Sequence, residues 1–358
     1  MFGNPSMLRY CIQKGIDMRA VYAEEPYKIG IRDIPVPKIG EDEVLVKVAY
    51  TGICGSDLHA FHGKHAFRKP PVMLGHEVSG TICEMGSAVT GLTLGQPVAV
   101  MPQINCGKCR ACLSGKEHLC EHRIMPSTPG WHGLGTFADY VIAPAKVICP
   151  LGDVPLKLGA LTEPLSVATH LMSRVPVGHD ENLVIVGAGT IGLLLLAIAT
   201  AYGFKNILIT DILDENLELA RKLGAAKTVN VLKTDGVSAV KEHFGELGCE
   251  TILVAAGGSD ILEQAMDMCR PGGTIMFVAM ITEPSTFVSY PIVFKELNIL
   301  GSFNYTMADF YTSVEFLRTR GKEISSIITH IVSLDDAAAA FKILNEKNEF
   351  AIKILMKA

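Results

Sequence analysis

Residues 183–211 constrain the fold more than any other stretch of the chain. Leu183 to Val186 is a short apolar run of the kind that forms a buried strand, and it leads directly into Gly187-Ala188-Gly189-Thr190-Ile191-Gly192 and a strongly helical segment. The next apolar run, "NILIT", ends in Asp211, nineteen residues beyond Gly192. Strand, glycine turn, helix and strand in that order make a βαβ unit, which needs a parallel sheet. A lone G-x-G-x-x-G is a weak signal. With an acid at the end of the following strand it becomes a dinucleotide fingerprint: glycines for the turn and for backbone approach, a helix N-terminus for the pyrophosphate, an acid for the adenosine ribose hydroxyls. Gly187, Gly189, Thr190, Ile191, Gly192 and Asp211 are therefore the candidate cofactor residues. The Asp211 carboxylate repels a 2′-phosphate, and Ile212 and Leu213 offer no cation to hold one, so NAD is expected over NADP.

Helices and apolar strands continue to alternate through "ETILVAAGG" and "LNILGSF". Within "DILDENLELARKLGA" Asp214 is expected to cap a helix, Leu217, Ala220 and Leu223 to share one face, and Gly224 to occupy the C′ position. Ahead of this half, from Met18 to about Val147, the chain reads as short strands punctuated by Gly and Pro. "EVLVKVAY" alternates apolar side chains as a half-buried strand does, and the expected form is a compact β-barrel. After about Tyr305 the pattern turns helical and then strand-like, in "FAIKILMKA", a tail expected to return to the first domain. At 358 residues the chain exceeds what one core supports. The expected division is 1–164, 165–304 and a returning segment 305–358.

A balance of 32 basic against 37 acidic residues gives a net charge of -5 and no electrostatic footprint for a polyanion, so nucleic acid is not an expected partner. The N-terminus lacks the apolar core of a secretory signal, and the run from Ile191 is broken by Gly192, Thr200 and Gly203 before reaching bilayer length. A cytoplasmic protein with no membrane segment is the expectation. Ten cysteines in such a chain point to metal binding or reactivity rather than to disulfides.

Four of them, Cys106, Cys109, Cys112 and Cys120, lie in "NCGKCRACLSGKEHLCE", with spacings that let a short loop wrap a tetrahedral zinc ion. Four thiolates fill the coordination sphere, so this is expected to be a structural site. A catalytic zinc needs a vacancy, and candidates for it are dispersed: Cys54 in "GICGSDLH", His76 and Glu77 in "LGHEVSG", and Glu163 in "TEPLS". Singly, none of these marks a site: a lone cysteine is more often a small buried hydrophobe, and a His-Glu pair more often a surface hydrogen-bonding element.

With Gly52-x-Cys54-Gly55-Ser56-Asp57-x-His59, Gly75-His76-Glu77-x2-Gly80, the four-cysteine loop and the Gly187 fingerprint in this order, the chain resembles the zinc-dependent medium-chain dehydrogenase/reductase family from about Met18 to the C-terminus. The first seventeen residues fall outside the match. The resemblance implies α/β plus β architecture: a GroES-like barrel carrying the catalytic zinc, a doubly wound Rossmann domain, and a cleft between them. It implies two Zn2+ per chain, one catalytic and one structural, with NAD, and a homodimer or homotetramer formed through Rossmann strands near Ile275 to Met280 and Ile299. Cys54 and His76 are then zinc ligands. Glu77 is a ligand in sorbitol-dehydrogenase-like members and a nearby carboxylate in others. Glu163 stands where dehydrogenases of simple alcohols carry cysteine and those of polyols and threonine carry glutamate. Ser56 and His59 match a proton relay, in which Ser56 passes the alcohol proton outward to His59 while hydride leaves to NAD. Ser56 is otherwise a turn-stabilising hydroxyl and His59 a solvated loop histidine.

The implied reaction is oxidation of a secondary alcohol, a polyol, sugar alcohol or sugar derivative, by NAD. A threonine or amino-alcohol dehydrogenase would use the same ligands, and a catalytically inactive nucleotide-binding structural protein is the reading of another class. "HAFHGKHAFRKPP" either rims the cleft or is a solvated face, Trp131 either walls the pocket or packs, and Phe303 and Tyr305 either line the cleft or belong to the core. Asn304 stands where sorbitol-dehydrogenase-like proteins often carry arginine, and an amide cannot reproduce the guanidinium fork, which argues against sorbitol itself.

Overall fold

The computed structural model describes residues 17–175, 182–281 and 284–358; residues 1–16, nearly all of the unmatched N-terminal stretch, lie outside that description. The chain forms two compact units. Among the described residues, the first comprises 17–163, 310–321 and 328–358, and the second 164–175, 182–281, 284–309 and 322–327.

The first unit opens with strands Asp17–Glu25 (β1), Lys28–Pro35 (β2), Glu43–Gly52 (β3), Val72–Met73 (β4), Glu77–Met85 (β5), Pro97–Val100 (β6), Tyr140–Pro144 (β7) and Ile148–Pro150 (β8). The alternation read in "EVLVKVAY" places Val44, Val46 and Val48 in the core, with Lys47 exposed between the last two. Six parallel strands belong to the second unit: Leu183–Val186 (β9), Ile207–Asp211 (β10), Lys227–Asn230 (β11), Cys249–Val254 (β12), Cys269–Phe277 (β13) and Asn298–Gly301 (β14). The chain then returns to the first unit with Ile328–Ser333 (β15) and Lys353–Lys357 (β16).

In the first unit β2-β1-β4 make a small sheet, and β15-β16-β3-β5-β6-β8, with β7 also on β3, make a larger one. The C-terminal strand thus pairs with β3 through Leu355 opposite Gly52, which delivers its neighbour Lys353 into the interior. In the second unit the order is β11-β10-β9-β12-β13-β14, the doubly wound arrangement whose chain reversal falls beside β9. Helices Thr190–Ala201, Asp214–Lys222, Gly236–Phe244 and Ile261–Met268 connect its strands. Val184, Leu208, Ile252 and Ile275, one from each of four strands, share a buried cluster.

One local expectation changes. Asp214 is the first residue of its helix rather than the cap, which is Leu213. Its carboxylate is taken by Lys233 Nζ at 2.5 Å and Asn230 Nδ2 at 2.8 Å, so it does not turn back onto the helix N–H groups. Gly224 follows the C-cap Leu223 with φ +102°, the left-handed conformation a C′ residue adopts. No helix among the described residues is long and apolar enough to cross a membrane.

Candidate active site and metal centres

The sharp end of β3 places Gly52, Ile53 and Cys54 directly before a short helix, Gly55–Phe61, with Cys54 at its N-cap. Three residues into that sequence Asp57 turns its Oδ2 back to accept the Cys54 N–H at 3.0 Å. Opposite Gly52, Glu77 begins β5, immediately after His76. This register brings one ligand atom each of Cys54, His76 and Glu77 within 4.8 Å of one another.

His76 is half-buried, but its Nδ1 is buried and makes no hydrogen bond of ordinary geometry; Asp57 Oδ1 lies 3.4 Å from it. Burial pulls the imidazole down, but the negative charges of Asp57 and Cys54 outweigh it and hold it well above its usual value. Such a histidine, with a carboxylate beside one ring nitrogen and a cysteine sulfur close by, fits a divalent metal in place of a proton. Asp57 itself is fully buried; burial works against its charge, yet His76 and Arg68 hold it far below the ordinary carboxylate range.

Glu77 is also fully buried, and Lys353 Nζ donates to both its oxygens, at 2.7 and 2.8 Å, and to the Ile53 carbonyl at 2.9 Å. Gly52 makes room for this pair, because a Cβ there would lie 2.0 Å from Glu77 Oε2. Glu163 lies outside the 4.8 Å cluster but near enough for its charge to act on Lys353. Ser56 Oγ accepts from Arg68 Nη2 at 2.8 Å, while His59, three residues along the same helix, is exposed.

The four cysteines form the second cluster. Their sulfurs all fall within 4.8 Å, with separations of 3.5 Å for Cys109–Cys112, 3.8 Å for Cys109–Cys120 and 3.9 Å for Cys106–Cys112. A tetrahedron with Zn–S bonds of about 2.3 Å has edges of about 3.8 Å, so the loop is already shaped for the ion. The Lys108 backbone leads the donors that draw the Cys106 thiol down to about 6, whereas burial and its sulfur neighbours push Cys112 up to about 12. Four adjacent thiols cannot all ionise without a cation between them.

In the second unit Gly187 takes φ +98°, and a Cβ on Gly192 would lie 1.8 Å from the Gly187 carbonyl oxygen, so both are demanded by the turn. Gly189 is different: a Cβ there would meet nothing within 4 Å. That open space, at the N-cap of helix Thr190–Ala201, is where a pyrophosphate requires backbone access. Asp211 closes the turn from below, accepting from Ala188 N at 2.6 Å and Leu213 N at 2.9 Å.

Sequence reasoning missed Arg68 and Lys353 and gave Asp57 no role of its own. The "HAFHGKHAFRKPP" loop is not simply a solvated face, because Arg68 is 7% exposed. Lys353 carried a faint signal, as the lone cation in the apolar run "AIKILM". Trp131 packs: it is 1% exposed and its Nε1 donates to the Ile142 carbonyl at 2.9 Å. Tyr305 is core as well, while Phe303 is exposed.

The alcohol dehydrogenase GroES-like domain matches residues 40–153, and the zinc-binding dehydrogenase domain matches residues 190–319. D-xylulose reductase A of Aspergillus oryzae is 35% identical over 324 residues, covering 88% of this chain and 90% of the relative. Among solved structures, a Sinorhizobium meliloti protein assigned as a zinc-binding dehydrogenase and bound to NADP shares 30% identity with a TM-score of 0.88, covering 96% of this chain and 99% of that one. Galactitol-1-phosphate dehydrogenase of Escherichia coli also shares 30% identity, with a TM-score of 0.85 over 95% of this chain and 100% of its own.

Proposed function

The chain belongs to the zinc-dependent medium-chain dehydrogenase/reductase family, oxidoreductases that use zinc and a nicotinamide cofactor, and from that premise we propose that it oxidises a secondary alcohol of a polyol, sugar alcohol or sugar derivative with NAD. The observation that carries this reading is the convergence of Cys54, His76 and Glu77 on one point, with His76 backed by Asp57. D-xylulose reductase and galactitol-1-phosphate dehydrogenase, by their names, both act on sugar-derived substrates, and Glu163 is the residue that the family resemblance gives to polyol and threonine dehydrogenases.

Cys54 and His76 would hold the catalytic zinc with a carboxylate from Glu163 or Glu77, and Cys106, Cys109, Cys112 and Cys120 would hold a structural one. When bound, zinc supplies a Lewis acid for the alcohol oxygen and NAD a hydride acceptor. The protein's own groups do the rest. Asp57 orients His76; Ser56 Oγ takes the alcohol proton and passes it towards His59, which sits on the exposed side of the same helix. Gly189 leaves the pyrophosphate its approach, the helix behind it favours the negative charge, and Asp211 receives the ribose hydroxyls in preference to a 2′-phosphate.

A homodimer or homotetramer is part of the proposal. Met280, Val288, Tyr290, Val293 and Phe294 are exposed at 63–76% just before β14, which is an edge strand of its sheet. Such a run beside a free edge favours a second copy, and light scattering measures it. The activity is tested by NADH formation at mildly alkaline pH across linear polyols, cyclic polyols, sugar acids and sugar phosphates, with threonine and primary alcohols as comparators. Turnover confined to a polyol class supports the reading. Turnover of threonine alone, or silence across the panel with two zinc ions bound, rejects the substrate assignment.

A further inference from the structure

Arg68 is a buried cation in a loop with no assigned role. Its side chain is 8% exposed, and each of its three guanidinium nitrogens has a partner. Nη1 donates to Asp57 Oδ1 at 2.9 Å and Nη2 to Ser56 Oγ at 2.8 Å. On the remaining edge His65 Nε2 lies 3.1 Å from Nη2 and 3.3 Å from Nε. Burial and the Arg68 charge push His65 down to about 4, so it brings no second cation to the spot.

The two groups held by Arg68 flank the catalytic cluster. Asp57 is 0% exposed and reaches both the Cys54 N–H, at 3.0 Å, and His76 Nδ1, at 3.4 Å. A buried carboxylate needs a fixed cation, and without one it would reorient or admit water. Ser56 has one hydroxyl proton and two lone pairs. Arg68 occupies one lone pair, which leaves the serine one acceptor and one donor: a single way in and a single way out for a proton. Only a planar fork serves both partners at once; an ammonium can satisfy Asp57 but not Ser56 in the same geometry.

We propose that Arg68 is a positioning residue for both halves of the site, holding His76 and Cys54 in ligating orientation through Asp57 and setting the Ser56 hydroxyl for proton transfer. The second half rests on the dehydrogenase reading; the first does not.

The test uses the full zinc-loaded chain with Arg68→Gln, Arg68→Lys and Ser56→Ala. Zinc release to a metallochromic chelator is followed first, with the four-cysteine ion as internal reference. Arg68→Gln is expected to release one zinc about 10- to 100-fold faster than wild type, the range for lost partners of metal ligands, and the other at an unchanged rate. Arg68→Lys, the variant retained should Arg68→Gln not fold, is expected to release zinc at nearly the wild-type rate. Its kcat falls to that of Ser56→Ala with KM unchanged, and the double variant is no slower than Ser56→Ala alone. The proposal is overturned if Arg68→Gln leaves both release rates unaltered, or if the Arg68→Lys and Ser56→Ala effects on kcat multiply. A packing role alone would lower the melting temperature and leave kcat per zinc-loaded chain untouched. Should the wild type oxidise no alcohol, the dehydrogenase reading fails while the release rates still judge Arg68.

Discussion

Replacing Lys353 with methionine should be one of the most damaging single changes available in the first unit. The ammonium is 3% exposed, its partner Glu77 is 0% exposed, and three acceptors are satisfied by one nitrogen. Methionine nearly preserves the packing volume but strands a carboxylate beside Cys54. Removing one partner of a buried pair costs about 3–5 kcal/mol, against about 0–1 kcal/mol for an exposed pair. For a unit of this size, at about 2–4 °C per kcal/mol, the melting transition should fall by about 6–20 °C. The informative comparison is with Lys353→Met/Glu77→Gln, which removes the stranded charge and should recover more than half the loss. Calorimetry of zinc-loaded protein measures the loss. The Lys353 pKa is raised: burial opposes its charge but Glu77 outweighs it, so the stability contributed by the lysine's charge is complete below the usual value of 10.5 and is lost as pH rises through the higher folded value. A loss below about 1 kcal/mol in Lys353→Met, or no recovery in the double variant, would refute the reasoning, since either means that the buried carboxylate finds compensation elsewhere.

Wild type should contain two zinc ions by elemental analysis; Cys109→Ser should lose one together with stability, whereas Cys54→Ala should lose the other and all turnover with the fold intact. Gly189→Ala should weaken NADH binding by about 10-fold or more in a fluorescence titration at constant melting temperature, while Gly192→Ala should lower the melting temperature because its Cβ would meet the Gly187 carbonyl. Asp211→Ala should cut the preference for NAD over NADP, measured as the ratio of kcat/KM values, by about 10- to 100-fold, the worth of a charge-assisted hydrogen bond. Asp309, whose burial is outweighed by hydrogen bonds from His170 and Thr306, has a carboxyl below the usual 3.8. Its stabilisation is therefore complete above that pH and lost on acidification through the lower folded value, so Asp309→Asn should cost about 1 kcal/mol at neutral pH and nothing at the acid end of a denaturation series.

What could be read in the sequence was what the chain specifies locally. The Gly187–Gly192 turn, the acid at Asp211 and the four cysteines each occupy a single short segment, where spacing and geometry are almost the same thing. Cys54, His76 and Glu77 were nameable through the motifs that carry the family resemblance, although their convergence depends on Gly52 pairing with Glu77 across β3 and β5. Arg68 and Lys353 escaped because a charge in a sequence carries no record of its burial. Lys353 lies 276 residues from Glu77, and only strand register brings them together. Asp214 misled because its better partners, Asn230 and Lys233, lie beyond the helix it was expected to cap.

The pairing of β16 with β3 also sets an order of events during synthesis. Ile53 and Lys353 are separated by 300 residues, and the whole six-stranded parallel sheet is encoded between them. On a ribosome the nucleotide-binding unit therefore emerges entire and can fold while the pocket around Glu77 still lacks its cation. Until β16 arrives, Glu77 lies beside Cys54 and His76 without its cation, and a divalent ion would meet a more negative site than the finished one. On the proposed site, metal selection would depend on timing as well as on affinity, and nascent chains stalled before and after Lys353 should differ in the metals they capture.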